Sequence, residues 1–278
     1  MIQEERFFTS YDGLEIYYQS WSPDNKPRAI IQLIHGFAEH SSRYVNVVNA
    51  LVPQGFTIYA NDHRGHGKSK GFRGYANSFN DYVMDERKFT EIIKKHEDDI
   101  PIFLLGHSIG SYIAIYYCSE TDSDFTGVIL SGSGTQVGGK VNPLLIFMNR
   151  FLSKILPRGK LSSNLSDDIS RDQAVVEAYK NDPYIFKFVT FRLGKEILET
   201  TKRIPSQIAK ITIPVLFQSG SQDKIILGAE ERFNHITTKD KTLKIYPGLF
   251  HEVYNELEDD RKQVLHDLAD WLIKHTSG

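Results

Sequence analysis

The chain has 278 residues, more than the usual domain but within the reach of one α/β domain. Hydrophobic residues make up 40% and charged residues 24%, which excludes disorder of the low-hydropathy, high-charge kind. Lys plus Arg number 33 against 35 Asp plus Glu, a formal charge of -2 that gives no general attraction to phosphate backbones, so no nucleic-acid partner is expected.

The N-terminal MIQEERFFTS has two acids and no apolar stretch of leader length, so a secretory leader is not expected. No run approaches the roughly 18 apolar residues a spanning helix needs. One cysteine, Cys118, cannot close an internal disulfide. A soluble protein of a reducing, cytoplasmic compartment is the expectation. Nothing cationic adjoins Cys118, which reads as a small buried residue.

Strand-like runs are predicted at 6–9, 14–21, 29–34, 56–61, 102–105 and 127–130, and later at 215–218 and 242–246. Asp12-Gly13 suits a hairpin turn between the first two. Helical stripes fill the gaps, among them Tyr44, Val47, Val48 and Leu51, and a closing helix with Val264, Leu265, Leu268, Trp271 and Leu272. Such alternation predicts an α/β fold with a mostly parallel eight-stranded sheet covered on both faces. Residues 133–205 break the alternation. Gly134, Gly138 and Gly139 are followed by Leu144, Phe147, Met148, Phe151, Leu152, Ile155 and Leu156 at helical spacing, and further helices are expected at 173–180 and 186–203. Some seventy residues without a strand pattern is too long for a plain connection. The expected organisation is a core of 1–132 and 206–278 with a helical cap inserted at 133–205.

Gly106-His107-Ser108-Ile109-Gly110 matches G-x-S-x-G, and so does Gly67-Lys68-Ser69-Lys70-Gly71. Context separates them: Ser108 follows a predicted strand and precedes a helix-compatible segment, whereas Ser69 has neither neighbour. A strand-turn-helix elbow requires small flanking residues because the serine backbone is strained. Ser108 is the candidate nucleophile. A phosphate loop at Gly67-Lys68-Ser69 fails because its first glycine would fall on Asp62. His63 and His66 lack partners at metal-ligand spacing and read as loop residues, so no metal is expected.

A serine hydroxyl needs a base, and the base needs an anion that fixes its tautomer. The chain order in such a fold is serine, acid, histidine. Asp223 follows the 215–218 strand, and its plainer reading is a turn residue. His251 follows the last strand, while His235, His266 and His275 fall before that strand or on the closing helix. Oxyanion donors are expected from the backbone N–H groups of Ile109 and of Phe37, with Gly36 permitting the close approach.

With these residues placed, the chain resembles the monoacylglycerol lipase and lysophospholipase branch of the α/β-hydrolases. The resemblance rests on HGFAEHSSRY (35–44), NDHRGHGKS (61–69), PIFLLGHSIG (101–110) and DKTLKIYPGLFHEVYNE (240–256), and it thins between 133 and 205. It implies an α/β-hydrolase fold, the triad Ser108, Asp223 and His251, and an oxyanion hole at Phe37 and Ile109. It also implies that Glu39 and Arg43 lie near the alcohol end of the substrate, although an i, i+4 pair on a helix start explains the same spacing. The family's animal lipases have a histidine touching glycerol three residues past the catalytic one; here that place is Tyr254. A second glycine that often follows the elbow is Ser111.

Leu144, Phe147, Met148 and Phe151 are the candidate acyl-contacting residues, on a helix more apolar than one packed face requires. Its spare surface suits an acyl tunnel or shallow contact with a membrane, and Lys140, Arg150, Lys154, Arg158 and Lys160 around it suit an anionic surface or plain solvation. The expected activity is cleavage of a monoacylglycerol-type lipid ester to fatty acid and glycerol through an acyl-enzyme, with no cofactor; the sequence does not reveal the oligomeric state. Lysophospholipase or general carboxylesterase activity stays open. So does a serine aminopeptidase, with Asp167, Asp168, Asp172 and Glu177 holding a free amino terminus. A non-catalytic binding module is a third reading, revived if a serine-directed fluorophosphonate fails to label the protein.

Overall fold

The computed structural model describes residues 1–97, 99–138, 143–163 and 165–276, with backbone alone at 143–147. In chain order the strands are β1 (Ile2–Thr9), β2 (Glu15–Ser22), β3 (Ala29–Ile34), β4 (Phe56–Asn61), β5 (Ile102–His107), β6 (Gly127–Ser131), β7 (Gln136–Val137), β8 (Lys160–Ser162), β9 (Phe188–Thr190), β10 (Val215–Gly220), β11 (Ile226–Leu227) and β12 (Lys241–Tyr246). The α-helices are α1 (Val45–Leu51), α2 (Asn80–His96), α3 (Ile109–Thr121), α4 (Pro143–Ile155), α5 (Gln173–Asn181), α6 (Phe191–Ile208), α7 (Ala229–Asn234) and α8 (Glu258–Thr276).

Eight strands form one sheet in the order β1-β2-β4-β3-β5-β6-β10-β12. The pairs β1–β2 and β2–β4 are antiparallel, and every pairing from β4 onward is parallel. Asp12-Gly13 closes the first hairpin, with Gly13 at φ 88°. Because successive side chains in a strand face opposite ways, β3 sends Ile30 and Ile34 to one core and Ile31 and Leu33 to the other. On the first face α2, α3 and α6 supply Phe89, Ile113 and Ile204; on the second α1 and α8 supply Val48, Leu268 and Leu272. All eight sheet strands coincide with predicted runs, several lengthened by one to four residues.

Between β6 and β10 two expectations need correction. The segment predicted to lack strands contains β7, β8 and β9: β8 pairs antiparallel with β9, and β7 with β11 beyond β10. Strands of two or three residues are too short to write an alternating pattern. The expected helix at 186–203 is instead β9 followed by α6, which runs through Pro205 to Ile208. The junction drawn at 205/206 therefore falls inside a helix. Proline removes one backbone donor in the last turns without ending the helix. Among the described residues no helix is long and apolar enough to cross a membrane.

Candidate active site

Ser108 stands between β5 and α3 at φ 54°, ψ -121°, in the half of backbone space that non-glycine residues rarely occupy. Its flanking glycines are steric requirements. A Cβ on Gly106 would collide with the backbone of Gly110 and Ser111, and one on Gly110 with the carbonyls of Ile34 and His35. The Ser108 amide donates to the Ser131 carbonyl at 2.9 Å, and Ser111 Oγ donates to the Ser108 carbonyl at 2.6 Å. Ser111 thus braces the elbow from a fully buried position.

Asp223 lies three residues past β10. Its Oδ2 is 2.7 Å from His251 Nδ1, and its Oδ1 accepts the amides of Ile225 at 2.8 Å and Ile226 at 3.0 Å. Burial opposes the charge on Asp223, yet His251 and those two amides hold its pKa below the usual carboxylate value. Burial likewise opposes charging His251, and the Asp223 carboxylate outweighs it, leaving the imidazole pKa raised. The histidine stacked beside it, His107, lies 4.8 Å away between ring centroids and bonds the Ser131 hydroxyl rather than a carboxylate. Burial, then the neighbouring His251, pushes its pKa down to about 3. Gly132, at φ 54°, lies under the His251 ring, where a Cβ would come within 2.9 Å of Cε1.

The loop after β3 reaches Ser108 through Gly36, whose Cβ would lie 3.3 Å from that of Ser108. Ala38 at φ 64° completes the sharp turn. The Phe37 amide donates no hydrogen bond among the described residues, and Ile109 is the first residue of α3, where an N–H has no partner within its helix. The Gly36 amide donates to Glu39 Oε1 at 2.5 Å, and Tyr44 Oη donates to the same oxygen at 2.8 Å. Arg43 Nη1 joins Glu39 Oε2, and the same guanidinium grips Glu252 through two bonds of 2.7 and 2.8 Å while lying 4.8 Å from the Tyr179 ring. Glu39 and Arg43 pair, as their i, i+4 spacing suggests, and Glu39 lines a small cavity of about 20 Å³ with Gly36, Ser108, His251 and Glu252. A larger cavity of about 500 Å³ opens from Phe37, Ser108 and Ile109 between α3, α6, β8 and β11.

Three sequence expectations fare differently. Tyr254 is in the core, its hydroxyl donating to Gln218 Oε1 at 2.7 Å, and it lines neither cavity. Met148 and Phe151 point outward, 46% and 62% exposed, because α4 carries apolar residues on two faces and these are on the outer one. The side chains of Leu144 and Phe147 lie outside the described residues. Ser69 is structural: its hydroxyl accepts the Tyr17 amide at 2.9 Å and donates to the Asp62 carbonyl at 2.5 Å. His63 Nε2 donates to the His35 carbonyl, and His66 Nδ1 to that of Arg64, in a buried loop cluster. Cys118 is buried, and burial raises its thiol pKa.

The family model Hydrolase_4, described as serine aminopeptidase S33, matches residues 25–258. The chain belongs to this family of α/β-hydrolases, in its monoacylglycerol lipase branch. It is 33% identical over 276 residues to a monoacylglycerol lipase of Mycolicibacterium smegmatis, covering 98% of each chain. Identity to the monoglyceride lipase of Homo sapiens is 30%, over 96% of this chain and 89% of the relative. The crystal structure of a Paleococcus ferrophilus monoacylglycerol lipase superposes with a TM-score of 0.85 at 28% identity, covering 94% of this chain and 99% of that one.

Within this family frame, sequence reasoning did not pick out Gly132 and Glu252. Glu252 carried a faint signal, an acid directly after the candidate base in a block with strong family likeness. Gly132 carried less, since a glycine after a strand is ordinary turn chemistry. Only the fold brings it under the imidazole.

Proposed function

We propose that the chain hydrolyses monoacylglycerols to a fatty acid and glycerol through an acyl-enzyme on Ser108. Ser108 Oγ attacks the ester carbonyl while His251 Nε2 takes its proton, and Asp223 holds the other ring nitrogen protonated. The Phe37 and Ile109 amides receive the oxyanion. The alcohol leaves with the proton from His251, and a water activated by the same imidazole then releases the fatty acid. The observation that carries this reading is His251, paired with Asp223 at 2.7 Å, lining one cavity with Ser108.

The alcohol side supports glycerol over a phosphorylated head group. Glu39 and Glu252 line it, and the guanidinium of Arg43 is spent on those two carboxylates. Two acids against one cation offer acceptors to neutral hydroxyls and repel a phosphate. An aminopeptidase reading finds little support in the proposed acids. Asp167 pairs with Lys180, Glu177 with the same lysine, Asp168 with Lys224, and Asp172 caps α5.

Residues 133–205 act as a cap in this reading. On α4, Met148, Phe151 and Ile155 are exposed, flanked by exposed Arg150 and Lys154. This outer face supports peripheral contact with a lipid surface from the cytoplasmic side. Fatty-acid release from a panel of monoacylglycerols, lysophospholipids and short esters tests the proposal. Monoacylglycerols are expected to give the highest kcat/KM, and Ser108→Ala is expected to abolish turnover in a protein whose circular dichroism is unchanged. Full activity in that variant would end the proposal.

A further inference from the structure

Behind the loop that follows β3, the sheet and α2 enclose a second group of polar side chains. Gln32 of β3, Glu86 and Thr90 of α2, and His63 of the loop after β4 are all buried, Glu86 completely. Two of their atoms face each other with no hydrogen-bond partner among the described residues: His63 Nδ1 and Glu86 Oε1, 3.6 Å apart. That gap is too narrow for a water molecule to stand in line between them. The His35 carbonyl, 2.9 Å from His63 Nε2, can only accept, so that nitrogen carries a hydrogen. In a neutral ring His63 Nδ1 is therefore bare, and it faces a carboxylate that also only accepts. Glu86 Oε2 takes the Gln32 amide at 2.9 Å, and Arg64 is spent on Asp85 and Asp12. A buried carboxylate set against a lone pair is costly. One further proton on the Nδ1–Oε1 line removes the conflict, whether it makes the imidazolium or the carboxylic acid. His35 and His66 do not compete for it: burial first and His63 second lower both pKa values, that of His66 to about 3.

Resting on the proposed ester hydrolysis, we infer that Glu86 is a positioning residue: by sharing this proton with His63 it fixes the loop that presents the Phe37 amide to the oxyanion. His63 holds that loop at two points. Its backbone N–H donates to His35 Nε2 at 2.9 Å, and its ring holds the His35 carbonyl. His35 Nδ1 in turn donates to the Gly36 carbonyl at 2.7 Å, one residue before Phe37. The His35 carbonyl also abuts the elbow, so closely that a Cβ on Gly110 would come within 2.5 Å of it. A His63 ring tilted away from Glu86 would move the Phe37 amide relative to Ser108 without touching the triad. Such a displacement costs transition-state stabilisation rather than substrate binding.

The test uses the whole chain with Glu86→Gln or Glu86→Leu. Glutamine can accept from Gln32 and donate its own amide hydrogen to His63 Nδ1, so it supplies the missing donor without a shared proton. Leucine supplies none. Glu86→Leu is expected to lower kcat on a monoacylglycerol about tenfold with KM nearly unchanged, and Glu86→Gln to keep kcat within about twofold of the wild type. Nitrogen-15 NMR of ring-labelled histidine should show both ring nitrogens of wild-type His63 protonated or hydrogen-bonded, which a mere packing role does not require. Wild-type kcat in Glu86→Leu, equal losses in both variants, or a free imine nitrogen on His63 overturns the inference. Should Glu86→Leu fail to fold, a loss of about tenfold in Glu86→Gln, or that free nitrogen, overturns it instead. Absence of ester turnover by the wild type, with His63 Nδ1 engaged, would sink the hydrolase reading and leave the shared proton standing.

Discussion

At the scale of single residues, the site is a set of buried charges whose surroundings decide their ionisation. In the proposed mechanism His251 is a base only when neutral, and Asp223 raises its pKa above the ordinary 6.5. The acid limb of kcat/KM is therefore expected above pH 6.5 and to move downward in Asp223→Asn, with turnover falling by about 10⁴-fold. A pH-rate profile of the two proteins measures both, and an unmoved limb would contradict the role given to Asp223. Stability runs the opposite way. The raised imidazole pKa contributes stability that is full below 6.5 and is lost as pH rises through the folded-state value. Arg43 poses a different balance, since its removal leaves Glu39 and Glu252 facing each other in a buried place. Arg43→Met should lower stability in urea by about 3 kcal/mol, and a loss below about 1 kcal/mol would mean the carboxylates find other partners.

At the scale of elements, close packing at the elbow explains why the neighbours of Ser108 are glycines. Gly132→Ala keeps every charge in place yet pushes a methyl into the His251 ring at a positive φ. It is expected to cut kcat more than KM, and to lower the melting temperature, as the imidazole is displaced. Normal kcat would show that the ring has room to yield. The outer face of α4 is the other element with a consequence. Replacing Met148, Phe151 and Ile155 together by serine should weaken binding to phosphatidylserine vesicles in a sedimentation assay, while equal binding would move the lipid contact elsewhere.

For the whole molecule, a net charge of -2 gives no long-range attraction to an anionic membrane, so the proposed contact would draw on the basic residues beside α4. Vesicle binding should accordingly fall as salt rises from 0.05 to about 0.5 M without vanishing, because the apolar part is not screened. Much of the architecture was legible in advance. Buried parallel strands are continuous apolar runs, and β3, β4 and β10 announce themselves that way. The short strands β7, β8 and β9 were not, because pairing rather than pattern makes them strands.

Local chemistry written in the chain determined the elbow at Ser108, the order of acid and histidine after it, and the sheet that carries them. Tertiary structure alone decided which side chains face the cavities. It turned Met148 and Phe151 outward, sank Tyr254 into the core, and brought Glu252 and Gly132 to places no spacing rule assigns. Periodicity reports that a residue is on a face; which face meets the site depends on how distant elements pack, and that is settled only when the chain has closed on itself.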